Sequence, residues 1–110
     1  MTIDFEKNGT VLTVRPKGSI DSATAPETEK QIIPQMEGIN ELIFDLKAVG
    51  YISSAGLRLL MVVGLAMEKQ AGSMKLLHPT PYVLEILEMT GFTDMFTVEE
   101  YLSDELRYNE

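Results

Sequence analysis

Between residues 41 and 71 two apolar stretches of different period follow one another. The first, Glu41-Leu42-Ile43-Phe44-Asp45-Leu46, is short, β-branched and aromatic, the mark of a strand buried on both faces. The second, residues 54–71, carries Leu57, Leu59, Leu60, Met61, Val62, Val63, Leu65, Ala66 and Met67 nearly around a whole helical circumference. Lys69 in the last turn and Gly72 at the C′ position mark its end. A covered strand that feeds a long helix is a βα unit, and it requires parallel neighbours joined by right-handed crossovers.

The flanking segments extend the pattern. Residues 2–6 alternate polar and apolar, Asn8-Gly9 supplies the turn chemistry of a tight hairpin, and a second strand runs from Val11 to about Ile20. Pro16 within that strand predicts an edge position or a bulge, because proline cannot donate to a ladder. Thr24, Pro26 and Glu27 read as a capping box opening a helix over residues 24–36, with Ile32, Ile33 and Met36 inward; Pro34 should kink or shorten it. A strand at 73–77, a helix from Pro81 to about Gly91, a strand at 96–98 and a terminal helix at 99–106 complete the order β-β-α-β-α-β-α-β-α. One α/β domain over residues 1–110 with a mixed sheet follows.

Composition narrows the function. The lack of cysteine excludes thiolate chemistry, one histidine leaves little for an imidazole metal centre, and no cofactor is expected. A net charge of −8 repels phosphate backbones and anionic lipid, which disfavours direct nucleic-acid binding and membrane surfaces and suits a basic protein partner. The longest apolar run, Leu59 to Met67, is too short for membrane insertion, and no secretory leader opens the chain; the expected compartment is the cytoplasm.

The segment with most chemical content is Ile52-Ser53-Ser54-Ala55-Gly56-Leu57-Arg58, where the short loop after the 41–46 strand gives way to the apolar helix. A serine there lies at the positive end of the helix dipole, at the carboxyl end of a parallel strand where partners commonly meet an open sheet. Phosphorylation would place about −1.5 to −2 charges against unpaired helix N–H groups, so the fold would tolerate it while the surface would change. The bland alternative is an N-cap serine, and for Gly56 a close packing of helix on sheet. The apolar helix is either covered by neighbouring helices or part of a partner patch.

Catalysis finds little support. The nucleophile elbow G-x-S-x-G fails because Tyr51 and Ile52 stand two before the serines, and the P-loop fails because Leu57-Arg58 follows Gly56. His78, in a proline-fixed loop, is a formal base for Ser54 but reads as exposed and inert. Asp21 and Asp45 both follow strands and could converge near the serines, although such residues commonly serve turns. The chain is expected to be no enzyme.

Gly18-Ser19-Ile20-Asp21, Asp45-Leu46, the serine turn, Pro81-Tyr82-Val83 and Leu87-Glu88-Met89-Thr90-Gly91-Phe92 together resemble the STAS-domain anti-sigma factor antagonists of bacteria. The resemblance spans essentially the whole chain. It implies a STAS-like mixed sheet of four to five strands with about four helices. It also implies a binding switch: the unphosphorylated protein binds an anti-sigma factor serine kinase and frees a sigma factor, phosphorylation ends binding, and a PP2C-type phosphatase restores it. Aligned on Gly56-Leu57, the phosphoacceptor is Ser54, with Asp21, Ser53, Ala55, Gly56 and Arg58 on the partner surface. The family often has Asp where Ser53 stands here. A runner-up within the same fold is a non-switching STAS subunit of a lipid-transporter or stress-signalling complex.

Overall fold

The computed structural model describes residues 1–99. Strands β1 (Thr2–Asn8) and β2 (Val11–Ile20) form an antiparallel hairpin with Asn8 paired to Val11. The loop is therefore Gly9-Thr10, with φ +62 at Gly9 alone, as in a type II′ turn; Asn8 ends the strand. Then come α1 (Ala25–Ile32), β3 (Glu41–Asp45), β4 (Val49–Ile52), α2 (Ser54–Lys69), β5 (Ser73–Leu77), α3 (Pro81–Met89), α4 (Phe92–Met95) and β6 (Thr97–Glu99).

The sheet runs β1-β2-β3-β5-β6, with β1 antiparallel and every other pairing parallel. Among the described residues it has six strands, one more than the expected four to five, because β4 pairs β2 in line with β3. The reason is length. β2 pairs β3 over Val11–Val14, and its upper part, Gly18 to Ile20, is left for β4. β4 reads as loop in the sequence because its four residues bury only the outer two, Val49 and Ile52, and show no alternation.

Pro16 is accommodated in this same gap. Its backbone nitrogen has the parity of Gly18, whose N–H donates to Ala48 O at 3.0 Å on the β4 side. At Pro16 that side falls between the β3 and β4 ladders, so the missing donor costs no pairing, although β2 is an interior strand. The bulge follows at Gly18/Ser19.

Because the parallel strands are added in one direction, right-handed crossovers place the connecting helices on one face. On that face Leu12, Val14, Leu42, Phe44 and Leu76 are fully buried. The opposite face is half-buried and charged, so β3 is not apolar on both sides as its composition implies. There Arg15 joins Glu6 at 2.8 Å and Asp45 at 3.6 Å, while Lys75 lies 4.0 Å from Glu41 and 3.9 Å from Glu99. Signs alternate from strand to strand, which lets a polar face stand with no helix of the described residues over it.

Local details refine the helix boundaries. Pro34 ends α1 at Ile32 and turns Ile33–Gln35 into a 3-10 turn, so Ile32 and Met36 are buried but Ile33 is exposed. The capping box of Thr24 and Glu27 does not form: Thr24 is already helical in φ/ψ and makes no cap bond. α2 ends in a Schellman arrangement, Gly72 N–H to Met67 O and Ala71 N–H to Glu68 O, with Ala71 and not Gly72 in the left-handed region at φ +59. Gly72 is small for another reason, since a Cβ there would stand 2.8 Å from Asn40 O. Of the large apolar side chains of α2 only Leu65 is exposed; Leu59, Leu60, Val63 and Met67 are buried, and Leu57, Met61 and Val62 half-buried. α4 was not anticipated, and the expected terminal helix at 99–106 lies outside the described residues except for Glu99, which ends β6.

Candidate functional site

β2 and β4 end side by side. Ile20 pairs Ile52, and the Ser53 N–H donates to Ile20 O at 2.9 Å, so the loop after β2 and the serine turn after β4 emerge together at their carboxyl ends. The residues immediately beyond, Asp21 on one side and Ser53-Ser54 on the other, are thereby neighbours.

The two serines divide the work. Ser53 is the N-cap, extended at φ −98 and ψ −179, and its Oγ accepts from the Ala55 N–H at 3.2 Å. Ser54 is the first residue of α2 and is exposed. Its hydroxyl is thus spared the capping role and stands at the helix's positive end.

Asp21 organises the facing loop. Its Oδ1 accepts from the N–H groups of Ala23 at 2.9 Å and Thr24 at 3.1 Å, and its carbonyl accepts from Ala25 N–H at 2.8 Å. It therefore does the starting work for α1 that Thr24 was expected to do. Thr24 Oγ1 instead donates to Ser19 O at 2.7 Å and accepts from Asp21 N–H at 3.0 Å, locking the loop to the end of β2.

Gly56 faces inward. A Cβ there would lie 2.5 Å from Ile20 O and 2.5 Å from Ile52 Cγ1, so α2 presses directly on the two strand ends. Gly56 is buried and offers no side chain to a partner; its contribution is to hold the serine turn where it is. Ala55 is half-buried and Arg58 exposed, and both line a shallow groove between α1 and α2 with Ser22, Pro26 and Glu29 across from them. Nothing in the spacing of the sequence marks those three residues, which reach the groove only through the packing of α1 on α2.

Asp45 does not converge on this site. It is 4% exposed and its Oδ1 accepts from Lys47 N–H at 3.2 Å, while Oδ2 lies near Arg15 and Lys47 Nζ. Arg15 precedes Ile20 by five residues of β2, which separates the two places by about 16 Å. His78 is held there too, with Nδ1 3.1 Å from Asp45 Oδ1 and its side chain 11% exposed. It is neither exposed nor placed as a base for Ser54, and its φ of +52 is fixed by an N–H bond to Glu99 O at 2.7 Å. Among the described residues no group of three or more His, Asp or Glu could hold a metal ion, and no helix is long and apolar enough to cross a membrane.

Beside the serine turn, β4 presents Tyr51, which stacks on Tyr82 of α3 with ring centroids 5.9 Å apart. The sequence places Tyr51 in the turn segment but has no signal that joins it to a residue so distant in the chain.

Comparison with known proteins agrees with this architecture. The family model described as STAS domain matches residues 2–105. BtrV of Bordetella bronchiseptica, a candidate anti-sigma factor antagonist, is 31% identical over 99 residues, covering 89% of this chain and 85% of its own. The anti-sigma-B factor antagonist of Bacillus subtilis is 28% identical over 98 residues, covering 89% and 90%. The crystal structure of an anti-sigma factor antagonist from Mycobacterium paratuberculosis superposes with a TM-score of 0.82 at 28% identity, covering 97% of this chain and 92% of that one. With the sheet order, the serine turn and the whole-length match in agreement, the chain belongs to the STAS domain family, among the anti-sigma factor antagonists.

Proposed function

We propose that this chain antagonises an anti-sigma factor that is itself an ATP-using serine kinase, and that Ser54 is the switch. The unphosphorylated form binds the kinase and frees a sigma factor. The kinase transfers the γ-phosphoryl group of ATP to Ser54 Oγ: the new P–O bond replaces the bond to ADP, and the hydroxyl proton leaves. The complex then separates, and a PP2C-type phosphatase hydrolyses the ester in the cytoplasm. The chain contributes a surface and an acceptor; the catalytic groups belong to its partners.

The observation that carries this reading is the division between the serines: Ser53 caps α2, which leaves Ser54 exposed at its first residue. A dianion at that position meets helix N–H groups and a favourable dipole, so the fold bears it. A protein docked over Ser54, Asp21, Ala55 and Arg58 would meet two further charges on a chain already at −8. Each 1.4 kcal/mol lost at such a contact weakens the complex about tenfold.

The test is affinity purification from the native cell, with the anti-sigma factor identified by mass spectrometry and the intact mass of the bait recorded. The recovered kinase with ATP adds one phosphate to the wild type and none to Ser54→Ala, while Ser53→Ala is still modified. Full modification of Ser54→Ala would remove Ser54 from its role. Recovery of a transporter ATPase in place of a sigma regulator would favour the non-switching subunit instead.

A further inference from the structure

Tyr51 and Tyr82 stack with their planes 20° from parallel, yet they stay 44% and 49% exposed. Tyr51, on β4, stands opposite the exposed Ser19 of β2, and Tyr82 belongs to the first turn of α3. α3 is pinned to β4 at this point, because Thr80 Oγ1 donates to Val49 O at 3.3 Å while capping the helix through Val83 N–H. The rings are thus held ready while about half of each remains in water. The core has no use for them in that position, since Val49 and Ile52 face inward and Tyr51 faces out. Rigid aromatic side chains with few rotatable bonds are the groups on which protein interfaces concentrate their affinity.

The α3 side of the stack specifies the partner's chemistry. From Leu76 to Glu99 the chain contains no lysine or arginine, but it carries Glu85, Glu88, Asp94 and Glu99. Glu85 follows Tyr82 by three residues, which puts it on the same side of α3 one turn along, and it is exposed. Two tyrosine faces beside a carboxylate attract a cation, and a guanidinium fits better than an ammonium because it is planar and weakly hydrated. Ser54 follows Tyr51 by three positions, about 10 Å of chain, so a single interface of ordinary size covers both.

We propose that the Tyr51–Tyr82 stack, with Glu85 beside it, is the anchor on which the anti-sigma factor lays an arginine-bearing segment, next to Ser54. This rests on the function proposed above and adds a division of labour. The tyrosines supply affinity through ring contact, and Ser54 controls it through charge.

The test titrates the purified anti-sigma factor recovered in the preceding experiment onto the full chain, by calorimetry. Tyr51→Ala and Tyr82→Ala are each expected to weaken binding by about 10- to 100-fold. Together they should lose less than the product, because they share one contact. Tyr82→Phe keeps the ring and should stay within about threefold, while Glu85→Lys should weaken binding about tenfold. Melting temperatures should remain near wild type, since all three side chains are exposed. Wild-type affinity in both alanine variants, with Ser54→Glu abolishing binding, would overturn the anchor and leave the Ser54 switch intact. Weakened alanine variants with unimpaired Ser54→Glu would support the anchor and reject the switch.

Discussion

Gly56→Ala tests how the serine turn is held. The added methyl would stand 2.5 Å from Ile20 O, 2.5 Å from Ile52 Cγ1 and 3.0 Å from Ile20 Cγ2. Ordinary contact begins at about 3.5 Å, so the first turn of α2 must retreat by about 1 Å. The main obstacle cannot swing away: Ile20 O is backbone and already accepts the Ser53 N–H at 2.9 Å. Overpacking of this kind costs about 1–3 kcal/mol. Alanine's better helix propensity returns up to about 1 kcal/mol. Because the blocking atom is backbone, the upper part of that cost range applies, and the net loss of about 1–2 kcal/mol should lower the melting temperature by about 5–10 °C in a domain of this size. Circular-dichroism melts of Gly56→Ala and Gly64→Ala side by side supply the assay. At Gly64 the nearest atom is Phe96 Cε1 at 2.5 Å, the edge of a ring that can tilt, so the loss there should be smaller. Because Ser53 is bonded to the same carbonyl, Gly56→Ala should also slow phosphorylation of Ser54. A melting temperature at or above wild type for Gly56→Ala would refute the claim that close contact positions the site.

Two further substitutions probe neighbouring features. Ser53→Ala removes the hydroxyl that caps α2 and should cost about 1 kcal/mol in a denaturant titration, with Ser54 still accepting phosphate; loss of phosphate instead would mean that the two serines share the role. Ala71→Gly relieves a residue at φ +59 and should stabilise the fold by about 0.5–1 kcal/mol, seen as a higher denaturation midpoint; a fall would show that the left-handed turn carries no strain.

Much of this protein is local information. Gly9 and its positive φ set the hairpin, Pro34 stops α1, Thr80 and Pro81 open α3, and the periods of β3 and α2 declare a βα unit. The serine turn is legible for the same reason: a cap, a small residue and an apolar helix are neighbours in the chain. Some local signals misled, as at Thr24, which makes no capping box, and Ile33, which faces water, but most failures concerned partners distant in sequence. β4 looks like loop because its strand character comes from the unpaired upper part of β2. Asp45 and His78 each look like loop-facing polar residues, and only β3 and β5 lying side by side turns them into a bonded pair. Tyr51 and Tyr82 are unremarkable until α3 is pinned against β4. Periodicity records which side of an element seeks water, so composition and order determine the elements and the exposed serine at the start of α2. Which elements meet depends on crossover direction and strand length, and these exist only once the sheet has formed.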